Sequence, residues 1–322
     1  LYFNQICKAY IFVPYFLDFF QKSKPKLVVV SNDHNINVRS LRIVAETLKI
    51  KTLYLQHASV NELFPPLNFN YALLDGRKSL NIYKKCFKKK KYNPTQKLNE
   101  INCQVLLTGQ KKLIFRKKIK KSNNKIIGVA TNSLDSFNSL KKLLHQINQL
   151  NLNCVVRTHP AHDLDFINKL ENYISDKKKM IILSNGKKEN VASFFKSIDI
   201  LISGNSSIHI EAAIAGLPTF FSYDIQKKSY TTDDYGYVSE GISKKLGKIL
   251  TYSKLFNIVQ NSKKRIGAIK EYSSTYNTAW QGQENQLVAF AIKQILKDKE
   301  FNQFFHIERQ LIYRKIWNLK VR

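Results

Sequence analysis

The sequence predicts an α/β protein made of two doubly wound domains that face a cleft, with additional helices at the C-terminal end. Short β-branched runs alternate with amphipathic stretches of helical period, which is the pattern of a parallel sheet covered by helices. This alternation occurs twice, and a basic stretch without strong periodicity at 111–124 separates the two series. A chain of 322 residues is also long enough for two cores. We therefore expect a first domain at 1–120, a second at 121–285, and helices at 286–322 that pack back on the domains or lie on a membrane surface.

The first series opens with an aromatic-rich helix, which is predicted over 5–24. An amphipathic helix is predicted at Val38–Leu48, and a short basic helix precedes the last strand. The predicted strands of this half are Leu27–Val30, Lys51–Leu55, Tyr71–Leu74 and Gln104–Leu107.

The second series repeats the pattern and ends in a strand–turn–helix–strand segment at Leu201–Asp224. Its predicted strands are Lys125–Ala130, Asn153–Arg157, Met180–Leu183 and Asp199–Ile202, and its predicted helices are Leu134–Leu150, Leu164–Ile174, Val191–Ser197 and Ile208–Ala215. The last third is predicted to be helical, with helices at Gln286–Lys297 and Phe301–Arg322. The second of these helices is read as packed on a domain or as a basic helix lying on a membrane.

The chain is strongly basic. Lysine and arginine number 53 against 23 for aspartate and glutamate, which gives a formal net charge of +30. Such a charge suggests an anionic partner, which could be nucleic acid, an anionic membrane surface or a polyanionic substrate. A solvated lysine-rich surface accounts for many of the basic runs equally well.

Cysteine spacing and hydropathy bear on the cellular compartment in which the protein is expected. The four cysteines, Cys7, Cys86, Cys103 and Cys154, lack metal-like spacing, so we expect free thiols in a reducing compartment. The sequence has no apolar run of the roughly 18 residues that a membrane span needs. The chain begins at Leu1 rather than at methionine, which suggests an excised domain in which the first three residues are either a tag remnant or native.

The turn at 203–207 is the first candidate site. Its small polar residues, Gly204, Asn205, Ser206 and Ser207, lie between a buried strand and a predicted helix. Free N–H groups and two hydroxyls would meet there at the positive end of a helix, which favours a phosphate. Glu211 follows Ser207 at i+4, on the same helical face and within reach of a ribose. The alternative is that the serines only cap the helix.

His159 is the second candidate, in the sequence Arg157-Thr158-His159-Pro160 at the tip of a strand. Pro160 disfavours helix at His159 and leaves the imidazole at the strand end, where it could donate to a leaving phosphate. Arg157 could add positive charge. The alternative is a structural histidine in a turn. His209, inside the following helix, is expected to face the core.

The first half places Asp, His and Gln side chains at three predicted strand ends. Ligands of open α/β sheets bind beyond the carboxyl ends of the strands. Asp33 is the preferred general base for an acceptor hydroxyl, with His57 the second choice and Asp75 the third. His34, Gln56 and Asp75 would line the acceptor side. The residues around Asp33 would also make a helix-capping turn, so a structural role stays open.

The sequence lacks the motifs of several enzyme classes. The sequence contains no G-x-x-x-x-G-K-[ST], G-x-G-x-x-G, H-E-x-x-H or G-x-S-x-G. Their absence argues against a P-loop enzyme, a dinucleotide oxidoreductase, a zincin and an α/β-hydrolase. No carboxylate pair can be assigned from spacing, so a two-carboxylate hydrolase is not supported.

The second-half motifs resemble those of bacterial GT-B glycosyltransferases, whose two domains are Rossmann-like, of capsule and lipopolysaccharide synthesis. They are Arg157-Thr158-His159-Pro160, Ser203–Ser207 with Glu211-Ala212-Ala213, and Gly216-Leu217-Pro218. A His-Pro pair followed by a Ser pair is similar to the donor site of sialyltransferases and polysialyltransferases. That resemblance implies that His159, Ser206 and Ser207 hold the nucleotide phosphate.

The resemblance spans roughly residues 26–225. Leu55-Gln56-His57 looks like a capsule-transferase motif, although there Gln-His is often followed by glycine and here by Ala58. A similar layout occurs in polyol-phosphate polymerases of teichoic acid synthesis and in transferases that use CMP-Kdo. The non-hydrolysing UDP-GlcNAc 2-epimerases share the second-half layout.

The resulting expectation is an inverting, metal-independent glycosyltransferase without a cofactor. It would move a sugar from a nucleotide-activated donor to a bacterial surface glycan or lipid-linked glycan. A CMP-sugar such as CMP-sialic acid or CMP-Kdo is favoured as the donor over a UDP-sugar. The alternatives are a UDP-GlcNAc 2-epimerase and a polyol-phosphate transferase that uses a CDP-polyol. A nucleic-acid-binding protein is suggested by charge alone, and no specific nucleic acid is expected. The expected location is the cytoplasm, with peripheral association at the inner membrane as the alternative.

Overall fold

The computed structural model describes residues 2–89, 103–111, 125–175, 180–226, 232–256 and 263–298. The chain divides into two compact units. The first comprises Leu1–Lys111 and Lys270–Arg322, and the second comprises Lys112–Ile269. The helix predicted at Phe301–Arg322 and most of the predicted link at 111–124 lie outside the described residues.

Helices and strands alternate along much of the chain. The helices are α1 Tyr2–Ser23, α2 Ile36–Thr47, α3 Arg77–Lys89, α4 Phe137–Gln149, α5 Leu164–Ser175, α6 Val191–Ser197, α7 Ile208–Ile214, α8 Tyr252–Phe256, α9 Lys263–Tyr272 and α10 Glu284–Ile295. The strands are β1 Leu27–Val30, β2 Lys51–Leu55, β3 Tyr71–Leu74, β4 Gln104–Leu107, β5 Ile127–Ala130, β6 Cys154–Arg157, β7 Ile181–Ser184, β8 Ile200–Ser203, β9 Thr219–Phe221 and β10 Lys244–Lys245.

The first unit contains a four-stranded parallel sheet in the order β1-β2-β3-β4. Alternate strand residues point to opposite faces, and each face has its own core. Tyr54 and Leu74 pack with side chains from α1, α2 and α3. Leu53 and Leu73 pack on the other face against Ala291 and Ile295 of α10.

The second unit contains a six-stranded parallel sheet in the order β10-β9-β8-β5-β6-β7. One core cluster joins the sheet to α4 and α5, and another joins it to α6 and α7. From β5 the chain first winds outward through β6 and β7, and it then returns to β8 on the other side of β5. The winding direction therefore reverses between β5 and β8, and this switch point is where open α/β sheets bind ligands.

The predicted strands agree closely with the observed ones, whereas some other predictions need correction. The helix predicted from Leu134 begins at Phe137, because 131–136 form a turn in which the N–H of Asp135 donates to the carbonyl of Asn132 at 3.0 Å. The prediction that the last third is helical is only partly right, since 232–243 is built largely of turns and bends and ends beside β10. All four cysteines are free thiols, as expected.

Candidate functional site

Four loops of the second unit meet at the carboxyl edge of its sheet, and we call this region the switch-point edge. The loops are 131–136 after β5, 158–163 after β6, 204–207 after β8 and 222–226 after β9. One hydrogen bond joins the first and third loops across the switch point, and another joins the ends of the strands that precede them. The Asn132 side-chain amide donates to the carbonyl of Asn205, and the Ser203 hydroxyl donates to the carbonyl of Ala130 at 2.8 Å. The switch-point edge is therefore held together by polar contacts.

Thr131 joins the loops that follow β5 and β6. Its hydroxyl donates to the carbonyl of Arg157 at 3.0 Å and accepts from the N–H of His159 at 3.3 Å. The same oxygen lies 3.0 Å from Nε2 of His162. Since the Thr131 proton is already given to a carbonyl, Nε2 of His162 must be the donor. Sequence reasoning gave Thr131 no role beyond the turn.

His159 is half-buried at the tip of β6, next to the exposed Pro160. Its Nδ1 accepts a hydrogen bond from the N–H of Ala161 at 3.1 Å. The neutral imidazole therefore carries its hydrogen on Nε2, which is the donor that binding to a phosphate oxygen requires.

Arg157 is buried and bound to internal partners. Nη1 donates to the hydroxyl of Ser184 at 3.1 Å, and Nη2 donates to the carbonyl of Glu189 at 2.7 Å. Burial lowers the pKa of the Arg157 guanidinium, and the charges of Glu189 and Glu211 oppose this. These contacts favour a role for Arg157 as a fixed positive charge behind the loops.

The loop that follows β8 contains one clamped residue and two half-buried serines. Nδ2 of the Asn205 side chain donates to the carbonyl of Thr232 at 2.7 Å and to Asp234 at 2.9 Å. Ser206 and Ser207 are half-buried, and the Ser207 side chain makes no cap hydrogen bond to α7. The loop is therefore fixed by Asn205 while the two hydroxyls face partly outward.

Glu211 lies one turn along α7 from Ser207, on the same face, as the spacing predicts. The hydroxyl of Ser207 donates to Oε1 of Glu211 at 3.4 Å. The glutamate is buried, whereas Ser207 is half-buried.

His209 holds the loop that follows β8 through a hydrogen bond from the core side of that loop. One ring nitrogen, Nε2, lies 2.9 Å from the carbonyl oxygen of Gly204, and Nδ1 lies 3.0 Å from the hydroxyl of Ser243. A carbonyl can only accept, so Nε2 carries the hydrogen and Nδ1 accepts from Ser243. Complete burial lowers the pKa of His209 to about 4. The imidazole is neutral and faces the core, as the sequence predicts.

Asp135 and Gln226 are additions that sequence reasoning missed. Asp135 follows β5 and Gln226 follows β9, and the two residues form an isolated antiparallel bridge. Burial raises the pKa of Asp135 to about 7. The only signal for Asp135 was its position three residues after Asn132 in a polar turn, and Gln226 carried no signal at all.

A pocket of about 570 Å³ lies beside these loops within the second unit. Its wall includes Asp135 and His162, and the His162 ring stacks on Phe166 with a centroid separation of 3.8 Å. Burial is the main reason that the pKa of His162 falls to about 4, so this ring is neutral. The pocket therefore combines an apolar stack with a buried carboxyl group.

In the first unit, the loops after β1 and β2 bring two predicted residues to one edge. Nδ1 of His57 lies 2.5 Å from the carbonyl oxygen of Ser31, so Nδ1 carries the hydrogen and the exposed ring keeps its Nε2 lone pair. Asp33 is buried, which raises the pKa of its carboxyl against the lowering effect of His34, Arg39 and Arg42. The His34 ring is exposed and meets Phe64 edge-on at 4.3 Å. His57 therefore has the better geometry for accepting a proton.

Gln56 and Asp75 make internal contacts in the first unit. The Gln56 amide donates to the carbonyl of Ala58 at 2.8 Å and accepts from the N–H of Asp75 at 2.9 Å. The Asp75 carboxylate accepts from Gln110 at 2.8 Å and pairs with Lys111. Both residues thus tie neighbouring strand ends together.

Among the described residues, no group of three or more His, Cys, Asp or Glu side chains could hold a metal ion. None of the helices within the described ranges is long and apolar enough to cross a membrane.

Comparison with known proteins identifies the fold. No protein-family model matches the chain, and a search of curated proteins also finds no match. Among solved structures, S. aureus MnaA with UDP has a TM-score of 0.55 at 13% identity, over 91% of this chain and 82% of that one. A putative UDP-N-acetylglucosamine 2-epimerase from Listeria monocytogenes has a TM-score of 0.53 at 11% identity, over 91% and 80% of the two chains. The UDP-GlcNAc 2-epimerase of Methanocaldococcus jannaschii, solved with UDP-GlcNAc and UDP, has a TM-score of 0.52 at 14% identity, over 88% and 80%. The chain has a GT-B-like fold with two parallel-sheet α/β units.

Proposed function

We propose that this chain is an enzyme that acts on a nucleotide-activated sugar. The supporting observation is the switch-point edge, where His159, Ser206 and Ser207 lie on loops that part-buried hydrogen bonds hold together, and where Glu211 lies in the first turn of α7. Structures of the same fold were solved with UDP or UDP-GlcNAc, which supports a nucleotide ligand for this edge. Ligands of open α/β sheets bind at such a switch point.

The proposed reaction is the inverting transfer of the sugar to a glycan or lipid-linked glycan. The acceptor hydroxyl attacks the anomeric carbon and gives its proton to a base, while the bond from that carbon to the phosphate oxygen breaks. The Nε2–H group of His159 would donate to the departing phosphate, and the fixed charge of Arg157 would favour that anion. A metal is not needed in this scheme, so turnover should persist in EDTA.

His57 is the proposed base. Its Nδ1–H group is held by Ser31, and Nε2 is the atom that would take the acceptor proton. Asp33 is the second choice, because burial disfavours its charged form. Asp75 is the weakest of the three, since Gln110 and Lys111 already bind its carboxylate.

Two observations bear on the identity of the donor nucleotide, and they favour different nucleotides. The motif resemblance favours a CMP-sugar, such as CMP-sialic acid or CMP-Kdo. The similar structures were solved with UDP ligands, which favours a UDP-sugar. Thermal unfolding with CMP, CDP, UDP and GDP discriminates, because a nucleotide at 100 times its Kd adds about 2.7 kcal/mol of stability. If none of the four raises the Tm, the proposed function is wrong.

A second candidate function is the 2-epimerisation of UDP-GlcNAc, which the epimerase structures of similar fold favour. This reaction needs no acceptor. Incubation of the protein with UDP-GlcNAc alone, followed by NMR of the sugar, therefore separates the two candidates. Formation of the 2-epimer would replace the transferase proposal, whereas unchanged UDP-GlcNAc would leave transfer as the better candidate.

A further inference from the structure

Two buried polar atoms at the switch-point edge have no hydrogen-bond partner within the described part of the chain. They are Oδ1 of Asp135 and Nε2 of Gln226. The third such side-chain atom among the described residues, Oγ of Ser274, belongs to the other unit. Asp135 is only 4% exposed and Gln226 only 5% exposed. Leaving a buried donor or acceptor unpaired costs about 1–3 kcal/mol for each group, so their presence at one place calls for an explanation.

The backbone holds both side chains in place. The N–H of Ser136 donates to the carbonyl of Ile225 at 2.8 Å, next to the bridge between Asp135 and Gln226. The other carboxylate oxygen, Oδ2 of Asp135, accepts from the N–H of Asn132 at 2.7 Å. Because Oδ2 shapes the turn, Oδ1 is the oxygen left for another partner.

Gly204 brings the two side chains to one spot. A Cβ atom at this position would lie 3.1 Å from Oδ1 of Asp135 and 3.0 Å from Cγ of Gln226. Gly204 belongs to the same loop as Ser206 and Ser207, and its carbonyl is held by His209. The unpaired acceptor and donor thus flank the backbone of the loop that is proposed to hold the nucleotide phosphate.

We propose that Asp135 and Gln226 bind a hydroxyl group of the nucleotide-sugar, so that they form a subsite of the donor. A hydroxyl oxygen can donate its hydrogen to Oδ1 of Asp135 and accept from Nε2 of Gln226 at the same time. The hydroxyl belongs either to the ribose or to the sugar that is transferred. This inference rests on the proposed function, since it names a contact within the same donor site.

The experiment reverses the polarity of the two side chains. In Asp135→Asn, the amide oxygen must still accept from the N–H of Asn132, so its NH₂ group replaces the unpaired oxygen. Gln226→Glu makes the opposite change, from donor to acceptor. At about pH 8.5, where the Asp135 carboxyl is ionised and Oδ1 can only accept, each single variant should weaken binding of the preferred nucleotide, or of its sugar conjugate, about 10-fold by calorimetry. The double variant should recover to within about 3-fold of wild type, because a hydroxyl can rotate to match the exchanged donor and acceptor. The edge of a nucleotide base has a fixed order of donor and acceptor, so a base bound at this place would not recover its affinity.

Asp165→Asn is the matched control. Its carboxylate lines the same pocket, but it is paired with Lys169 at the surface, where such pairs contribute little. We expect this variant to bind like wild type. Thermal unfolding of every variant without nucleotide shows whether the fold is kept.

The outcomes separate the inference from the proposed function. Binding by wild type with unchanged affinity in both single variants would overturn the subsite while the proposed function stands, and a buried water would then satisfy the two atoms. Weakened single variants without recovery in the double variant would overturn the hydroxyl assignment. A loss seen with the nucleoside diphosphate or monophosphate alone places the hydroxyl on the ribose, and a loss seen only with the sugar conjugate places it on the sugar. Wild type that binds none of the nucleotides would overturn the proposed function itself.

Discussion

At the residue scale, burial shifts the ionisable groups of the second unit in opposite directions. It raises the pKa of Asp135 to about 7 and lowers the pKa of both His162 and His209 to about 4. In each case the charged form loses its hydration. All three side chains are therefore close to neutral in weakly acidic solution, and they make stability depend on pH in opposite senses.

The Asp135 carboxyl should lower stability as the pH rises. Its pKa in the folded protein lies above the ordinary 3.8, so its contribution is complete below that value and is lost as the pH passes about 7. Asparagine does not titrate. The unfolding free energy of Asp135→Asn relative to wild type should therefore increase by as much as about 4 kcal/mol between about pH 4 and pH 8. Urea unfolding at several pH values measures this difference in unfolding free energy. A difference that stays constant with pH would contradict the raised pKa of Asp135.

His209 should act in the opposite direction. Its pKa in the folded protein lies below the ordinary 6.5, so its contribution is complete above that value and is lost as the pH falls towards 4. In wild type this loss should amount to about 3 kcal/mol of unfolding free energy, and it should be absent in His209→Gln. Urea unfolding at several pH values measures the slope, and His145→Gln on the exposed face of α4 is the control. Equal slopes in His209→Gln and wild type would show that the imidazole is not buried as a neutral ring.

His159 should matter for turnover and little for folding. Its side chain is half-buried, and within the described contacts its Nδ1 accepts one backbone hydrogen bond. Loss of a donor to the departing phosphate lowers kcat by about 10²–10³-fold. His159→Ala should show this loss in a transfer assay with an unchanged Tm, and His145→Ala should keep full activity. Full activity in His159→Ala would remove this residue from the proposed mechanism.

At the element scale, the end of α9 and the segment that follows it cover the carboxyl edge of β3 and β4. A Cβ atom at Gly76 would lie 2.3 Å from the carbonyl oxygen of Glu271. A Cβ atom at Gly109, whose φ is +75°, would lie 1.9 Å from Oγ1 of Thr275. The N–H of Gln110 adds a hydrogen bond to the Ser273 hydroxyl at 3.1 Å. Glycine is needed at both positions because backbone or side chain takes the place of a Cβ atom.

Alanine at these glycines should test the packing of that segment. Gly109→Ala combines a left-handed φ with a clash, and we expect a loss of about 3 kcal/mol of unfolding free energy. Gly267→Ala in α9 meets no atom within 4 Å and should stabilise the protein by about 0.5–1 kcal/mol. Urea unfolding of both variants measures the contrast. Equal stability of the two variants would contradict the close approach of Thr275 to Gly109.

The elements could be predicted from sequence far better than the partners of individual side chains. Four-residue β-branched runs such as Leu27–Val30 identify strands by composition alone, although Val29 is exposed because β1 lies at the edge of its sheet. The strand ends then predicted which residues reach the carboxyl edge, His159 among them. The sequence could not show that Asp135 meets Gln226, because this contact joins residues about ninety positions apart through strand order. It also could not show that Ser184 and Glu189 hold the guanidinium of Arg157.

At the scale of the whole molecule, the second unit is continuous in sequence and contains the proposed donor residues. It spans Lys112–Ile269 and has core clusters on both faces of its sheet. We expect residues 112–269, produced alone, to unfold cooperatively and to gain stability from the same nucleotide as the full chain. Calorimetric scans with and without nucleotide measure both properties. A folded fragment that does not respond, beside a full chain that does, would show that the first unit is required for binding.

The first unit is interrupted in sequence, and this has a consequence for synthesis. Residues 270–298 supply α10 and the cover over Gly76 and Gly109, yet they leave the ribosome only after the whole second unit. Until then, Leu53, Leu73 and Leu106 lack the apolar side chains of α10 that cover them in the finished fold. The nascent chain therefore carries an unfinished sheet while its later half is already able to fold. A stop codon near position 270 should thus yield a product prone to aggregation, with the defect in the half of the protein that was made first.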